Sequence, residues 1–403
     1  MITKYSLKIV LFLSLIITSE SFAKIKIYIS ADRTGAKESG ISIEQGLKTA
    51  LFEIKNKLAN QEVEVVILDH RGSTPRFKKH LKKFLKDEEA LVMYSGLHSP
   101  PLLSQKKFIS ENEIVMLDPW AAAGPITRYN SKDNYIFRLS VDDSKAGKVI
   151  AKNAITNEKF KKPYLLLENT GWGKSNKKTM TNALNSLNIG TPYLKFFNWN
   201  ISKTEAKIIL KNIIQSGSDV IFLVANAKEG KVFAKAMSEL PKNERIPIRS
   251  HWGITGGDFP KVITSKIRDK IDLQFIQTSF SFMNKNLSKN SKEVFDKLKM
   301  VYPEIKTYKD LKAPVGFIHA YDLTLILQAA LDQITLTNDI KENRRLLKNS
   351  LENIKKPVKG LIKTYKKPFS VFNKNNIDAH EALNENDFVM AEYGENNEIL
   401  LKK

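Results

Sequence analysis

The sequence predicts an α/β protein built from two doubly wound lobes, on three observations. Strand-like and helix-like stretches alternate almost without interruption from residue 24 onward. That is the pattern of βαβ units, whose parallel sheets are covered on both faces. The alternation comes as two successive series, one starting at Lys24 and the next at Pro163. The 403 residues also exceed what one such core usually fills.

The first series opens with "KIKIYIS" (24–30), which alternates apolar and polar residues like a strand. "SIEQGLKTALFEIKNKL" (42–58) has apolar residues at helical spacing. "VEVVILD" (63–69), "ALVMYSG" (90–96), "IVMLD" (114–118) and "YIFRLS" (135–140) read as further strands. Residues 74–86 form a helix with Phe77, Leu81, Phe84 and Leu85 inward and lysines outward. "SKAGKVIAKNAI" (144–155) closes the series as a helix. The second series runs "PYLLLE" (163–168), helix 174–187, strand 193–198, helix 203–216, "DVIFLVA" (219–225), helix 229–238 and strand 246–251. After a polar connection, "NKNLSKNSKE" (284–293), residues 314–334 form a long apolar core helix carrying His319 and Tyr321. Residues 360–403 read as short strands, "GLIKTY", "PFSVFN" and "DFVMAEY", with Pro, Asn and Gly turns.

The N-terminus has the layout of a secretory signal peptide. Lys4 and Lys8 supply positive charge, "IVLFLSLII" (9–17) is the apolar stretch, and "SFA" (21–23) provides small residues for cleavage after Ala23. The apolar stretch is too short for comfortable spanning, so the mature chain is expected to be exported and not membrane-spanning. The chain has no cysteine, which excludes disulfides, thiolate metal sites and a lipidated cysteine. An untethered, monomeric periplasmic protein of a Gram-negative cell is expected.

The net charge is +22. A basic balance can mark nucleic-acid or anionic-membrane partners. Here lysine dominates and is spread along the chain, with "RFKKHLKKFLK" (76–86) the densest run, so a solvated face is expected and no nucleic-acid partner.

"ENTGWGKSNKK" (168–178) places Gly173-Lys174-Ser175 between a strand and a helix, as a phosphate-binding loop does. That loop needs a glycine five residues before Gly173, where the backbone must wrap the phosphates. The position holds Glu168, and bulky Trp172 replaces a small residue. A nucleotide-handling enzyme is therefore the weakest of the functional readings. The six histidines show no metal spacing and no H-E-x-x-H, and there is no G-x-S-x-G elbow. A non-enzyme without cofactor or metal is expected.

Several loops, taken in order, resemble those of type 1 periplasmic solute-binding proteins, the leucine/isoleucine/valine-binding family that serves ABC importers. The stretches are "TGAKESGISIEQGLKTALFEIKNK", "SGLHSPPLLS", "DPWAAAGPIT", "FRLSVDD", "LLLENTGWGKS", "DVIFLVANAKEG", "IRSHWGITGGDF" and "HAYDLTLILQAAL". They cover essentially the whole mature chain. The resemblance implies two lobes that close on a ligand like a Venus flytrap, joined by a three-strand hinge near 140–143, 272–278 and 375–388. Both lobes are then discontinuous: 24–141 with 276–383, and 142–275 with 384–403.

The resemblance also places a ligand pocket. Relatives cap a ligand carboxylate where this chain has Leu97-His98-Ser99, and Ser99 serves equally well as a plain helix cap. After Pro119 they carry Ala-Ala-Thr, with the threonine bonding ligand; here Trp120, Ala121 and Ala122 follow, and Ala122 cannot make that bond. Trp172 matches an aromatic that stacks on ligand. The acid that holds an ammonium group falls at or beside Trp252, with His251 and Asp258 nearby. Asn226 and Glu229 are weaker candidates, and Asp32-Arg33-Thr34 reads equally as a turn. The amino-acid clamp is thus incomplete and the aromatic area enlarged. This suits a small ligand with planar or apolar parts, or an organic cation. The implied partner is an ABC-transporter permease; the alternative is a membrane sensor such as a histidine kinase or cyclase.

Overall fold

A computed structural model of the chain describes residues 24–129 and 133–402. The expected leader and its cleavage site lie outside the described residues.

Six strands form the first sheet: β1 (Ile25–Ala31), β2 (Lys57–Leu58), β3 (Gln61–Asp69), β4 (Ala90–Ser95), β5 (Met116–Asp118) and β6 (Ile136–Arg138). Their order is β2-β3-β1-β4-β5-β6, parallel throughout except for the β2–β3 hairpin. The crossovers are α1 (Lys37–Glu53), α2 (Thr74–Leu85) and α3 (Ser99–Glu111). Every residue of central β4 is buried, as a strand covered on both faces requires. Ser73 caps α2 by accepting from the Arg76 amide, Pro75 sits in its first turn, and Phe77, Leu81 and Phe84 are its buried stripe.

After α4 (Asp143–Ala151) the second sheet begins, with β7 (Pro163–Glu168), β8 (Tyr193–Phe197), β9 (Val220–Val224), β10 (Ile248–Ser250) and β11 (Leu273–Thr278). Its helices are α5 (Gly171–Ser186), α6 (Lys203–Gln215), α7 (Ala227–Ser238) and two short ones, α8 (Phe259–Val262) and α9 (Ser265–Arg268). The chain then returns to the first body as α10 (Lys289–Val301), α11 (Pro314–Leu331), α12 (Ile340–Leu351) and a small antiparallel pair, β12 (Val358–Lys359) and β13 (Thr364–Tyr365). It ends in the second sheet as β14 (Phe388–Tyr393) and β15 (Ile399–Leu401), giving the order β15-β14-β11-β10-β9-β7-β8 with β14 and β15 antiparallel.

Helix α11 is the one helix among the described residues long and apolar enough to cross a membrane, and it is largely buried. It lies directly on α1. A β-carbon at Gly46 of α1 would come within 2.3 Å of the Phe317 carbonyl oxygen, so only glycine permits this approach. The Ser42 hydroxyl seals the contact, donating to the Ala313 carbonyl and accepting from the Phe317 amide.

Three details depart from the sequence reading. Residues 152–157 widen into a π-helix where an α-helix to 155 was expected. "PFSVFN" forms no strand and closes through an isolated Asn373–Asn376 bridge. Helix α10 starts inside the expected connection, because Ser288 caps it and Val294, Phe295 and Leu298 turn inward.

The chain passes between the bodies at 139–142, after Thr278, and just before β14. The second passage starts later than the boundary expected at 275, since β11 pairs with β14 as far as Thr278. Ion pairs clamp the first and third passages together. Arg138 meets Glu381 at 2.6 Å, and Arg128 meets Asp142 at 3.1 Å and Asp378 at 2.7 Å. Burial alone would raise the Asp142 carboxyl, but Arg128, Lys145 and Arg138 outweigh it and hold the group below the usual carboxylate range.

Candidate ligand cleft

In each sheet the strand order reverses once. The reversal lies between β1 and β4 in the first sheet and between β7 and β9 in the second. Ligands of open α/β sheets bind outside the strand carboxyl ends at such a switch point. Both switch points open onto one cleft, bounded by the loops after β1 and β4 on one side and those after β7 and β9 on the other. The two bodies touch across it: the Gly124 amide donates to Ser175 Oγ at 3.1 Å, and Lys261 reaches Glu38 at 3.3 Å.

The inner part of the cleft gathers most of the residues singled out in the sequence. Leu97, His98, Ser99, Trp120 and Ala122 line it from the first body, with Trp172, Asn226 and Trp252 from the second. Ala121 and His251 do not line it. Its open volume is about 10 Å³, room for one water. Side chains fill the rest: the Trp120 and Trp252 ring centroids are 5.8 Å apart, and Trp252 is 5.3 Å from His319.

Trp172 is buried and its indole N–H donates to Asp143 Oδ1 at 3.0 Å. Asp143, which the sequence reading missed, is fully buried and collects donors from both bodies. Asn176 Nδ2 approaches at 2.7 Å and the Gly124 amide at 3.3 Å. His251 Nε2 lies 3.3 Å away. Because His251 Nδ1 accepts from the Trp252 amide, the ring proton sits on Nε2 and faces that carboxylate. Position 143 begins α4 next to a chain crossing, so a single side chain ties the tryptophan loop to the hinge.

Beneath Trp120, Asp118 Oδ1 accepts from Ser95 Oγ and from the Trp120 and Ala121 amides. Burial pushes this carboxyl up to about 7. His319 Nδ1 lies 2.9 Å from the Pro119 carbonyl, which can only accept, so Nδ1 carries the proton. Burial pushes the His319 ring down to about 4, which keeps it neutral.

The Gly-Lys-Ser stretch forms no phosphate cradle. The Gly173 amide is used by Thr170 Oγ1, the α5 cap, and a β-carbon at Gly173 would lie 1.7 Å from the Glu168 carbonyl oxygen. Glu168 is buried, and burial raises its carboxyl above the usual range. Lys174 points to solvent.

The helix expected to cap an anion is poorly equipped for it. Ser99, Pro100 and Pro101 are the first three residues of α3, and the prolines have no N–H to offer. Ser99 Oγ accepts from the Ala123 amide at 3.2 Å. Helix α7 is better placed. Its cap residue Asn226 gives its side-chain amide to Glu168 instead of capping, so the first amides of α7 stay uncapped.

Those amides border an outer cavity of about 230 Å³ that shares Leu97, His98, Asn226 and Gly253 with the inner part. Asp32, Arg71 and His98 line it from the first body; Trp199, Asn200, Lys228 and Glu229 line it from the second. Arg71 and Gly72 both adopt left-handed backbone, which turns the chain sharply at the cavity wall. Asp32 accepts from the Gly35 and Thr34 amides and lies 3.0 Å from His98 Nε2. Burial alone would raise its carboxyl, but His98 and these amides hold it below the usual range. Glu229 accepts from the Asn200 amide. The Arg71 head has only a 3.6 Å approach to Asp69. Trp199 is 41% exposed with its ring 6.2 Å from that of His98, an aromatic surface at the mouth. Among the described residues no group of acids and histidines could hold a metal ion.

The sequence profile described as periplasmic binding protein matches residues 24–246. The chain belongs to the periplasmic binding protein family. Membership carries with it a periplasmic location and a two-body α/β trap that binds solutes. No curated protein sequence matches. The fold is shared with a type 1 periplasmic binding protein of Bordetella pertussis Tohama I, at TM-score 0.77 and 15% identity, covering 94% of this chain and 99% of that one. A solute-binding protein from R. palustris, solved with benzoate, follows at TM-score 0.73 and 16% identity, covering 94% and 95%. The branched-chain amino acid transporter substrate-binding protein of Streptococcus pneumoniae, solved with isoleucine, has TM-score 0.71 and 18% identity, covering 93% and 97%.

Within this binding protein, Asp143, Arg71, Trp199, Asn200 and Lys228 went unread in the sequence. Asp143 had one local signal, its place just after an N-cap aspartate. Arg71 and Lys228 each look like any surface cation until folding sets them on opposite walls of one cavity.

Proposed function

We propose that this protein captures a small organic ligand between its two lobes and presents it to an ABC importer in the membrane. The carrying observation is the convergence of both switch points on a single cleft with an aromatic floor and a polar outer cavity. Arg71 and Lys228 face that cavity from opposite bodies. An anionic group between them would be attracted to both and favour closure. The uncapped amides of α7 add attraction of the same sign. Trp199 and His98 offer ring faces for a planar or apolar body. An amino acid, an amide or an aromatic acid fits this layout, in keeping with the isoleucine and benzoate bound by proteins of the same fold. The closing lobes are 24–141 with the returning helices, and 142–278 with the C-terminal strands.

The mechanism is a population shift. Ligand touches both walls only in the closed form and stabilises it by that difference alone. The membrane partner reads the closed shape. A thermal-shift panel of amino acids, amides, aromatic acids, amines and nucleotides tests the reading, with calorimetry on each hit. A stabilising carboxylate is expected; stabilisation by nucleotides alone would overturn it. Permease and ATPase genes beside this one support delivery to an importer, whereas a lone neighbouring sensor kinase or cyclase gene would refute that step.

A further inference from the structure

Helix α2 carries Arg76, Lys78, Lys79, Lys82, Lys83 and Lys86 on or just beyond its outer face, all exposed. None of the six forms an ion pair among the described residues, and residues 74–86 contain no acid. Of the three acids that follow, Asp87 and Glu89 are engaged by Lys26, and Glu88 is exposed at the edge of the face. Lys78/Lys82/Lys86 and Lys79/Lys83 are like charges at i,i+4 spacing, an arrangement that weakens an isolated helix. Phe77, Leu81 and Phe84 on the opposite face hold the helix in place against that repulsion.

The face continues across the cleft. Helix α2 packs on α3, with Lys78 Nζ above the Phe108 ring. Helix α3 in turn meets α5 of the second body, where Leu103 touches Gly171. Lys106 and Lys107 share the stripe of Leu103, three and four residues on. Lys174 and Lys178 share the stripe of Gly171, three and seven residues on. Lys106 is half-buried and donates to the Pro125 carbonyl, and Lys107 pairs with Glu111; Lys174, Lys177 and Lys178 are exposed and make no ion pair among the described residues. Residues 171–186 also contain no acid.

We infer that this α2–α3–α5 face docks on a membrane surface rich in anionic phospholipid, and that it is continuous only when the two bodies are together. Its chemistry points to a diffuse, extended anion. The charges are nearly all lysine, a compact point charge without the fork that grips a single phosphate or carboxylate. None of these six α2 cations lines either part of the ligand cleft. Phe77 and Phe84 of α2 are buried, and the half-buried Phe108 ring of α3 is already covered by Lys78, so the face presents no open ring row on which successive nucleic-acid bases could stack. Twelve residues of α2 span about 18 Å, and basic residues near an anionic leaflet each add attraction that fades within a Debye length.

The test is co-sedimentation of the mature protein with phosphatidylcholine vesicles, with and without phosphatidylglycerol. Binding is expected only to the anionic vesicles, and to vanish in high salt. The combined Lys79→Gln, Lys82→Gln, Lys83→Gln and Lys86→Gln variant should bind about tenfold or more weakly. Lys174→Gln with Lys177→Gln and Lys178→Gln should weaken binding as well. A control replacing the exposed Lys355, Lys356, Lys366 and Lys367 with glutamine removes equal charge elsewhere and should stay within about twofold. Equal loss in the control would mean net charge alone is read, and would overturn the inference. So would absence of binding to anionic vesicles, or equal affinity for soluble polyphosphate. Ligand affinity should be unchanged in all three variants, which separates this test from that of the cleft.

Discussion

Gly256 in the second body faces Leu97 in the first, and this pair offers a direct handle on closure. A β-carbon at position 256 would lie 1.9 Å from Leu97 Cδ1, against about 3.5–4.0 Å for relaxed carbon contact. The clash exists only when the bodies are together, so Gly256→Ala should leave each body folded and penalise the closed form. Overpacking of this kind costs about 1–3 kcal/mol, with rotation of the Leu97 tip favouring the lower end. That shifts the closing equilibrium by about 5- to 150-fold, and weakens ligand affinity equally. Calorimetry with the ligand found in the thermal-shift panel reads the affinity, and small-angle scattering reads the radius of gyration. The variant should stay more extended at ligand concentrations that compact the native protein. Adding Leu97→Ala should restore much of the affinity, because it removes the atom that clashes. Unchanged affinity and compaction in Gly256→Ala, or no recovery in the double variant, would refute the reasoning that closure brings these residues together.

Asp143→Ala would strand the Trp172 and Asn176 donors in a buried site, and should cost about 3–5 kcal/mol of stability in urea unfolding, with Asp143→Asn milder. Arg71→Gln and Lys228→Gln should each weaken binding of a carboxylate ligand by about 1 kcal/mol, roughly fivefold, since Arg71 is largely exposed; equal weakening for an uncharged analogue would count against an anion clamp. Asp118 has its carboxyl raised from 3.8 to about 7, so the folded chain keeps a proton that the unfolded chain releases. Its contribution to stability therefore falls as pH rises from about 4 to about 7. His70 and His319, pushed down by burial to about 4, act in the opposite direction. The melting temperature of Asp118→Asn should consequently gain on that of the native protein across this interval; a constant offset would show that Asp118 does not titrate there.

Periodicity was the legible part of this chain. Strand and helix patterns depend on neighbours two to four residues apart, so "KIKIYIS" and 74–86 announce β1 and α2 directly. The same reasoning failed at 152–157 and 368–373, where tertiary packing and turn geometry override a local pattern. The loops bearing Trp120, Trp172 and Trp252 follow β5, β7 and β10, and all three residues line the inner cleft. The packing of Trp120 on Trp252 and of Trp172 on His251, with room for a single water, was not readable, because it depends on how far the two bodies close.

By itself the sequence determined an α/β chain of two wound sheets, an export leader as an expectation, the loops that face the cleft, and the loss of a nucleotide loop at Glu168. Only the tertiary structure decided that Asp143 links Trp172 and Asn176 to Gly124. It alone showed that α7, and not proline-blocked α3, presents free amides, and that Arg71 and Lys228 share a cavity. The physical reason is distance along the chain. Arg71 and Lys228 come from different bodies, and they line one cavity only because three chain crossings set those bodies face to face.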